Sequence, residues 1–156
     1  MQGTLQLFLS TLGLSLLPGF EGRYSYAYGL VRGLPPTLSL FSSLLGVLIL
    51  SLILPYLIDS LDSFAQNTSL PLVKRVYERV VIRTRRKAEP YVSKYGFLGL
   101  VLFVAVPLPG TGVWTGTLAA YLLGIHGKKL LLSLFLGGML SIMIVAFLGL
   151  TYNKIQ

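Results

Sequence analysis

Two stretches of the chain are apolar without interruption, and two others are apolar only as far as a proline. Leu38 to Ile58 holds no charged residue and ends at Asp59, while Leu130 to Tyr152 is flanked by Lys128 and Lys129 before it and Lys154 after it. At about 1.5 Å per residue, the 21 residues from Leu38 to Ile58 reach roughly 31 Å, close to a hydrocarbon thickness of about 30 Å. The pattern predicts transmembrane helices over 37–58 and 129–152. Gly137, Gly138 and Gly149 in the second suit close approach to a neighbouring helix.

The broken segments predict something else. Leu5 to Leu17 leads into Leu-Pro-Gly-Phe-Glu-Gly-Arg over 17–23, and the chain then climbs back through Tyr24 to Leu34. Phe97 to Val106 leads into Pro-Leu-Pro-Gly-Thr-Gly over 107–112, followed by Val113 to Ile125. Proline removes a backbone donor and glycine permits a sharp turn, so a helix is expected to break at each motif. Each arm is long enough to reach mid-membrane and marginal for crossing it. We therefore read 1–34 and 97–126 as re-entrant helical hairpins; a single kinked spanning helix is the alternative in each case. Leu5–Leu17 lacks the basic flank of a cleavable signal peptide and is read as a retained arm.

The order hairpin, span, linker, hairpin, span is an internal repeat. Pro18-Gly19 with Ala27-Tyr28 in the first unit parallels Pro109-Gly110 with Ala120-Tyr121 in the second. A hairpin returns to its own side while a span crosses once, so the second unit is inverted relative to the first, a plan met in secondary transporters. The expected fold is an all-α integral membrane protein: an inverted repeat of re-entrant hairpin plus transmembrane helix, with a basic amphipathic linker helix.

Charge agrees with that plan. Residues 59–96 and the 126–129 turn share one face and carry Lys74, Arg75, Arg79, Arg83, Arg85, Arg86, Lys87, Lys94, Lys128 and Lys129, against Arg32 and Lys154 on the other. Under the positive-inside rule the linker is cytoplasmic and both termini are outside. Within the linker, Val73, Val76, Tyr77, Val80, Val81, Thr84 and Ala88 fall on one side at helical spacing, which predicts an amphipathic helix over 72–88 that stops at Pro90. Lys74, Arg75, Arg79, Arg83 and Arg86 on such a helix would meet the membrane surface and its anionic headgroups, or serve only to fix topology.

Composition sharpens this only slightly. Of 156 residues, 12% are charged and 54% hydrophobic, well below the roughly 25% charged residues of soluble domains, and the mean hydropathy is +0.76. The net charge of +8 would also suit nucleic acid, but the cations flank membrane spans, so no nucleic-acid partner is expected. One histidine, no cysteine and no carboxylate cluster leave no expected metal or cofactor site, and no nucleophile–base pair suggests an enzyme.

The candidate chemistry sits at the two tips. Glu21 and Arg23 lie away from both interfaces, where a charge needs a partner or a function. Glu21 is expected to bind a proton or cation and Arg23 an anionic headgroup; an ion pair clamping the two hairpins is the structural alternative. The second tip, Pro107, Pro109, Gly110, Thr111, Gly112, Trp114 and Thr115, has no charge but offers hydroxyls and free backbone groups. A helix starting near Gly112 would present its N-terminal N–H groups as an anion site; capping of that helix by Thr111 is the structural alternative and is compatible with it. Thr111 and Thr115 are four apart and expected to line one face, and Trp114 to wall a cavity or pack. Tyr24, Tyr26 and Tyr28 suit an interfacial aromatic belt as well as a ligand site.

At these tips the chain becomes recognisable. Lys94-Tyr95-Gly96-Phe97-Leu98-Gly99-Leu100, the run Val104 to Gly116 and the Glu21-Gly22-Arg23 motif resemble the family of small multidrug export proteins of prokaryotes, across essentially the whole chain. Ala27 departs from it, since many members have proline there. The layout is also similar to the DedA superfamily, which includes lipid scramblases and undecaprenyl-phosphate translocases. Resemblance implies a transporter-like fold in a prokaryotic plasma membrane, with Glu21 and Arg23 at functional positions. The reading is a small transporter or lipid-phosphate translocase, proton- or cation-coupled, working with membrane lipids as a homodimer. Export of cationic compounds and a non-transporting scaffold are the alternatives.

Overall fold

The computed structural model describes residues 2–67, 71–108 and 110–153; Pro109 and Lys154 lie outside them. The described residues form seven helices: α1 (Gln2–Leu16), α2 (Glu21–Val31), α3 (Pro36–Asn67), α4 (Pro71–Tyr95), α5 (Phe97–Ala105), α6 (Val113–Leu122) and α7 (Gly127–Asn153). Both proline-glycine motifs break a helix as expected. α1 stops at Leu16, just ahead of Pro18. α5 stops at Ala105 because Val106, restricted by the proline that follows it, is extended at φ −66° and ψ 120°. Ala27 leaves α2 unbroken through its length.

Two helices contain segments long and apolar enough to cross a membrane, Pro36–Ile58 and Gly127–Gly149, each 23 residues or about 34 Å. Their outer faces carry exposed Leu52, Ile53 and Tyr56 on α3 and Met143, Phe147 and Leu148 on α7. Apolar bands of this extent on an outer face suit lipid rather than water.

Two boundaries differ from expectation. α3 continues nine residues past Ile58 to Asn67. After Asp59 the sequence turns polar but offers no glycine or proline before Pro71, so nothing ends the helix at the membrane edge. α4 runs through Pro90 to Tyr95 rather than stopping there. Proline at 90 forfeits the bond to the carbonyl of Arg86, but Arg86 is exposed, where solvent satisfies that group. The terminator is Gly96, whose φ of +54° few side-chain-bearing residues adopt. The inner side of α4 consists of buried Thr84, Ala88 and Val92 with half-buried Tyr77 and Val81, whereas Val76 and Val80 are exposed. α4 crosses α5 where Gly99 meets the Tyr91 carbonyl.

Small residues set the packing. α2 folds back along α1, with Gly29 against Thr11, and both pack on α3. Ser25 and Ser43 share a hydrogen bond of 3.0 Å, and the Ser39 hydroxyl donates to the Tyr26 carbonyl at 2.8 Å. Gly137 lies against Val104 and Gly138 against Val47 and Val113, the close approach that their sequence positions foretold; Gly149 instead has open space around it. The long helices run in opposite directions: Pro36 near the start of α3 lines one cleft with Val145, Ala146 and Gly149 near the end of α7. Val47 and Gly138, which touch, are the central residues of the two 23-residue segments.

A Cβ at position 46 would fall onto the Ser15 side chain across the α1–α3 contact. Gly46→Val is therefore expected to destabilise the protein by about 1–3 kcal/mol through overpacking. Thermal unfolding in detergent checks this, and adding Ser15→Gly should recover part of the loss.

Candidate functional site

Four interrupted helix ends converge midway along the long helices. Gly22 packs between Val47 of α3 and Ile142 of α7, and Val113 of the second tip reaches Gly138. Each interrupted end leaves backbone groups that have no partner within their own helix. In a membrane interior such groups must be satisfied by protein. Here the tips satisfy each other at three of the four ends, those of α1, α5 and α6.

Glu21 caps α6. Its carboxylate accepts the Val113 N–H at 3.0 Å through Oε2 and the Trp114 N–H at 3.3 Å through Oε1. Arg23 closes the end of α5: its Nη1 donates to the Val106 carbonyl at 3.0 Å and approaches the Thr111 hydroxyl at 3.3 Å, and its Nη2 donates to the Thr111 carbonyl. In return the Trp114 indole N–H donates to the carbonyl of Leu16, the last residue of α1, at 3.3 Å. Negative charge at a helix N-terminus and positive charge at a C-terminus are both favoured by the helix dipole. The direct contact of the two charges is long, 3.8 Å between Arg23 Nη2 and Glu21 Oε2. Helix ends and charge partner together explain how Glu21 and Arg23 stay 5% and 3% exposed. Glu21 also has a φ of +49°, in the left-handed region that residues with side chains rarely occupy. Its fixed carboxylate and the packing of Gly22 hold it there.

Beside this junction lies a cavity of about 480 Å³. Phe20, Tyr24 and Trp114 give it aromatic walls, and Glu21, Arg23, Gly110, Thr111 and Thr115 also line it, with Pro18 and Gly19 at the first tip. The Arg23 guanidinium stands 5.3 Å from the centre of the Tyr24 ring. Among the described residues, Arg23 Nε is buried with no hydrogen-bond partner.

The structure brings together Glu21, Arg23, Gly110, Thr111, Gly112, Trp114 and Thr115, and Pro107 precedes them in the same tip. Pro109 lies outside the described residues. Two roles are corrected. Thr111 does not cap α6; the N-cap residue is Gly112, and the side chain that accepts the first N–H groups is that of Glu21. The Thr111 hydroxyl turns back instead, 2.6 Å from the Val106 carbonyl and 2.7 Å from that of Leu108, and the Leu108 N–H donates to it at 3.3 Å. At the start of α6, where an anion site was expected, the N–H groups of Val113 and Trp114 are taken by the carboxylate of Glu21. The tyrosines also divide: Tyr24 faces the cavity, while Tyr26 is in the core. Phe20 escaped sequence reasoning, although its place between Gly19 and Glu21 put it on the tip.

Short helices joined end to end through buried charges and framed by two long apolar helices make the described residues all-helical, as suits a membrane protein. A family model described as "Putative small multi-drug export protein" matches residues 21–144, beginning at Glu21 itself. The chain belongs to this family. No curated protein and no solved structure matches it.

Proposed function

We propose that the chain carries an anionic, phosphate-bearing amphiphile of the polyprenyl-phosphate type across the membrane, and that the cavity beside Arg23 holds its headgroup. The observation that carries this reading is the buried Arg23 guanidinium. It lines an aromatic-walled cavity with one N–H unpartnered, level with the centres of the two long helices. A buried polar group without a partner calls for an explanation, and an anionic ligand provides one.

The inverted re-entrant plan underlies this proposal. The four short helices have 15, 11, 9 and 10 residues, about 14–22 Å each, too short to cross a hydrocarbon core of about 30 Å, as re-entrant arms require. The opposite directions of α3 and α7 suit two units related by inversion. Exposed Lys74, Arg75, Arg79, Arg83, Arg85 and Arg86 on α4 suit a cytoplasmic linker lying against anionic lipid. Glu21 is the proposed coupling group: a proton on its carboxylate would weaken the cap on α6 and loosen the junction between the tips.

Export of cationic compounds has the aromatic wall in its favour. Against it, both oxygens of Glu21, the carboxylate such a substrate needs, already accept backbone N–H groups.

Proteoliposomes with the reconstituted protein and NBD-labelled phosphatidylglycerol test the proposal by dithionite bleaching. Wild type is expected to speed lipid exchange, and Arg23→Ala to slow it at least about tenfold, the equivalent of about 1.4 kcal/mol at the transition state. Unchanged exchange in that variant would remove the anion-site reading. Ethidium efflux that fails in Glu21→Gln but survives Arg23→Ala would favour the cation exporter.

A further inference from the structure

A second cavity, of about 180 Å³, lies on the other side of the second tip. Lys87 and Tyr91 of α4, Phe103 and Val106 at the end of α5, and Leu108 and Thr111 of the tip line it. Thr111 also lines the larger cavity, so one residue stands in both walls. The strap between the cavities is the tip backbone that Arg23 grips at Val106 and Thr111.

Lys87 approaches this strap from the far side. Its ammonium nitrogen lies 3.2 Å from where a Cβ on Gly110 would sit, and Gly110 lines the larger cavity. The neighbouring cations Arg83, Arg85 and Arg86 are exposed, whereas Lys87 is half-buried. The crossing of α4 over α5 at Gly99 produces this difference: it sets Tyr91 beside Phe103, 6.4 Å between ring centres, and turns Lys87 one helical turn earlier towards the tip. Two cations thus flank the tip backbone, Lys87 at Gly110 and Arg23 at Thr111. An anion that leaves Arg23 within a membrane interior needs a second cation close by, because an unpaired charge there is costly. A lysine suits a transient stop, being a point charge without the planar fork of arginine.

We infer that the smaller cavity is a second anion subsite on the linker side, where Lys87 receives a phosphate monoester or diester group passed from Arg23 across Thr111. The inference rests on the transport reading of the larger cavity. Thr111 is the gate residue between the two subsites, and its hydroxyl exchanges partners among Val106, Leu108 and the passing anion.

The test combines transport with site protection. In the NBD-phosphatidylglycerol assay, Lys87→Gln is expected to lose about tenfold in rate and Lys87→Arg to keep most of it, the melting temperature of each being measured alongside. The chain has no cysteine, so Leu108→Cys gives a single reporter in the smaller cavity. Its labelling by an impermeant maleimide should slow several-fold with dihexanoyl phosphatidic acid, and the slowing should vanish when Lys87→Gln is added. The same protection by inorganic phosphate would mark a site for any phosphate group, and protection by the lipid analogue alone a site for a lipid headgroup. Transport that falls in Arg23→Ala but is untouched in Lys87→Gln would overturn the subsite and leave the transport reading in place. Transport indifferent to both would overturn the two together. Protection of Leu108→Cys that persists without Lys87 would also overturn the subsite.

Discussion

Replacing Glu21 by alanine is expected to cost both stability and transport, and replacing it by glutamine to separate the two. Alanine strips the acceptors from the Val113 and Trp114 N–H groups and leaves Arg23 without its carboxylate in a buried setting. Breaking a buried charge pair by removing one partner costs about 3–5 kcal/mol. Glutamine keeps one carbonyl oxygen for an N–H of α6 but offers that end no charge. Its expected loss is closer to the 1–3 kcal/mol or so of one unsatisfied buried group. Glu21→Gln also resembles the protonated side chain, so the protein should remain folded while its transport loses dependence on pH. Thermal unfolding in detergent and flux measured across a pH series check the two halves separately. An alanine variant that melts with the wild type would show that the carboxylate does not hold the junction.

The second large effect is expected at Gly112. A Cβ there would collide with both carboxylate oxygens of Glu21, and the residue has a φ of +127°. Gly112→Ala therefore meets two penalties, roughly 1–3 kcal/mol from overpacking and a similar amount, about 1–3 kcal/mol, from the backbone. The carboxylate can escape only by withdrawing from the start of α6, which removes the cap. The double variant Glu21→Ala with Gly112→Ala distinguishes the causes, because without the carboxylate only the backbone penalty remains. Its total loss should fall short of the sum of the single losses by about 1 kcal/mol or more, as expected for residues in contact. Full additivity would mean that the two residues do not meet.

Much of the frame was legible in the sequence because hydropathy is a local signal. The uncharged runs before Asp59 and after Lys129 marked the spans, and the proline-glycine motifs marked the breaks. Glu21 and Arg23 were conspicuous as charges in apolar surroundings. Their partners were not, since Val113 lies 92 residues from Glu21 and Thr111 lies 88 from Arg23. No local pattern says which of several free helix ends a carboxylate will cap, and Thr111, the nearest hydroxyl, was the natural but mistaken choice. Lys87 was hidden differently, as one of several cations on a surface helix; only the crossing at Gly99 and Tyr91 singles it out. Pro90 misled because it lies on the exposed side of α4, where the helix runs on through it to Tyr95 despite the lost hydrogen bond.

The exchange of caps between the tips also bears on how the chain is made. A membrane protein enters the bilayer as it is synthesised, N-terminal part first. Glu21 and Arg23 emerge long before the carbonyl of Val106 and the N–H groups of Val113 and Trp114 exist to receive them. Until then the two charges of the first tip have each other but not the helix ends that they cap in the folded chain. The junction can therefore close only after residues 106–114 have been made, so the exchange of caps ties the first half of the chain to the second.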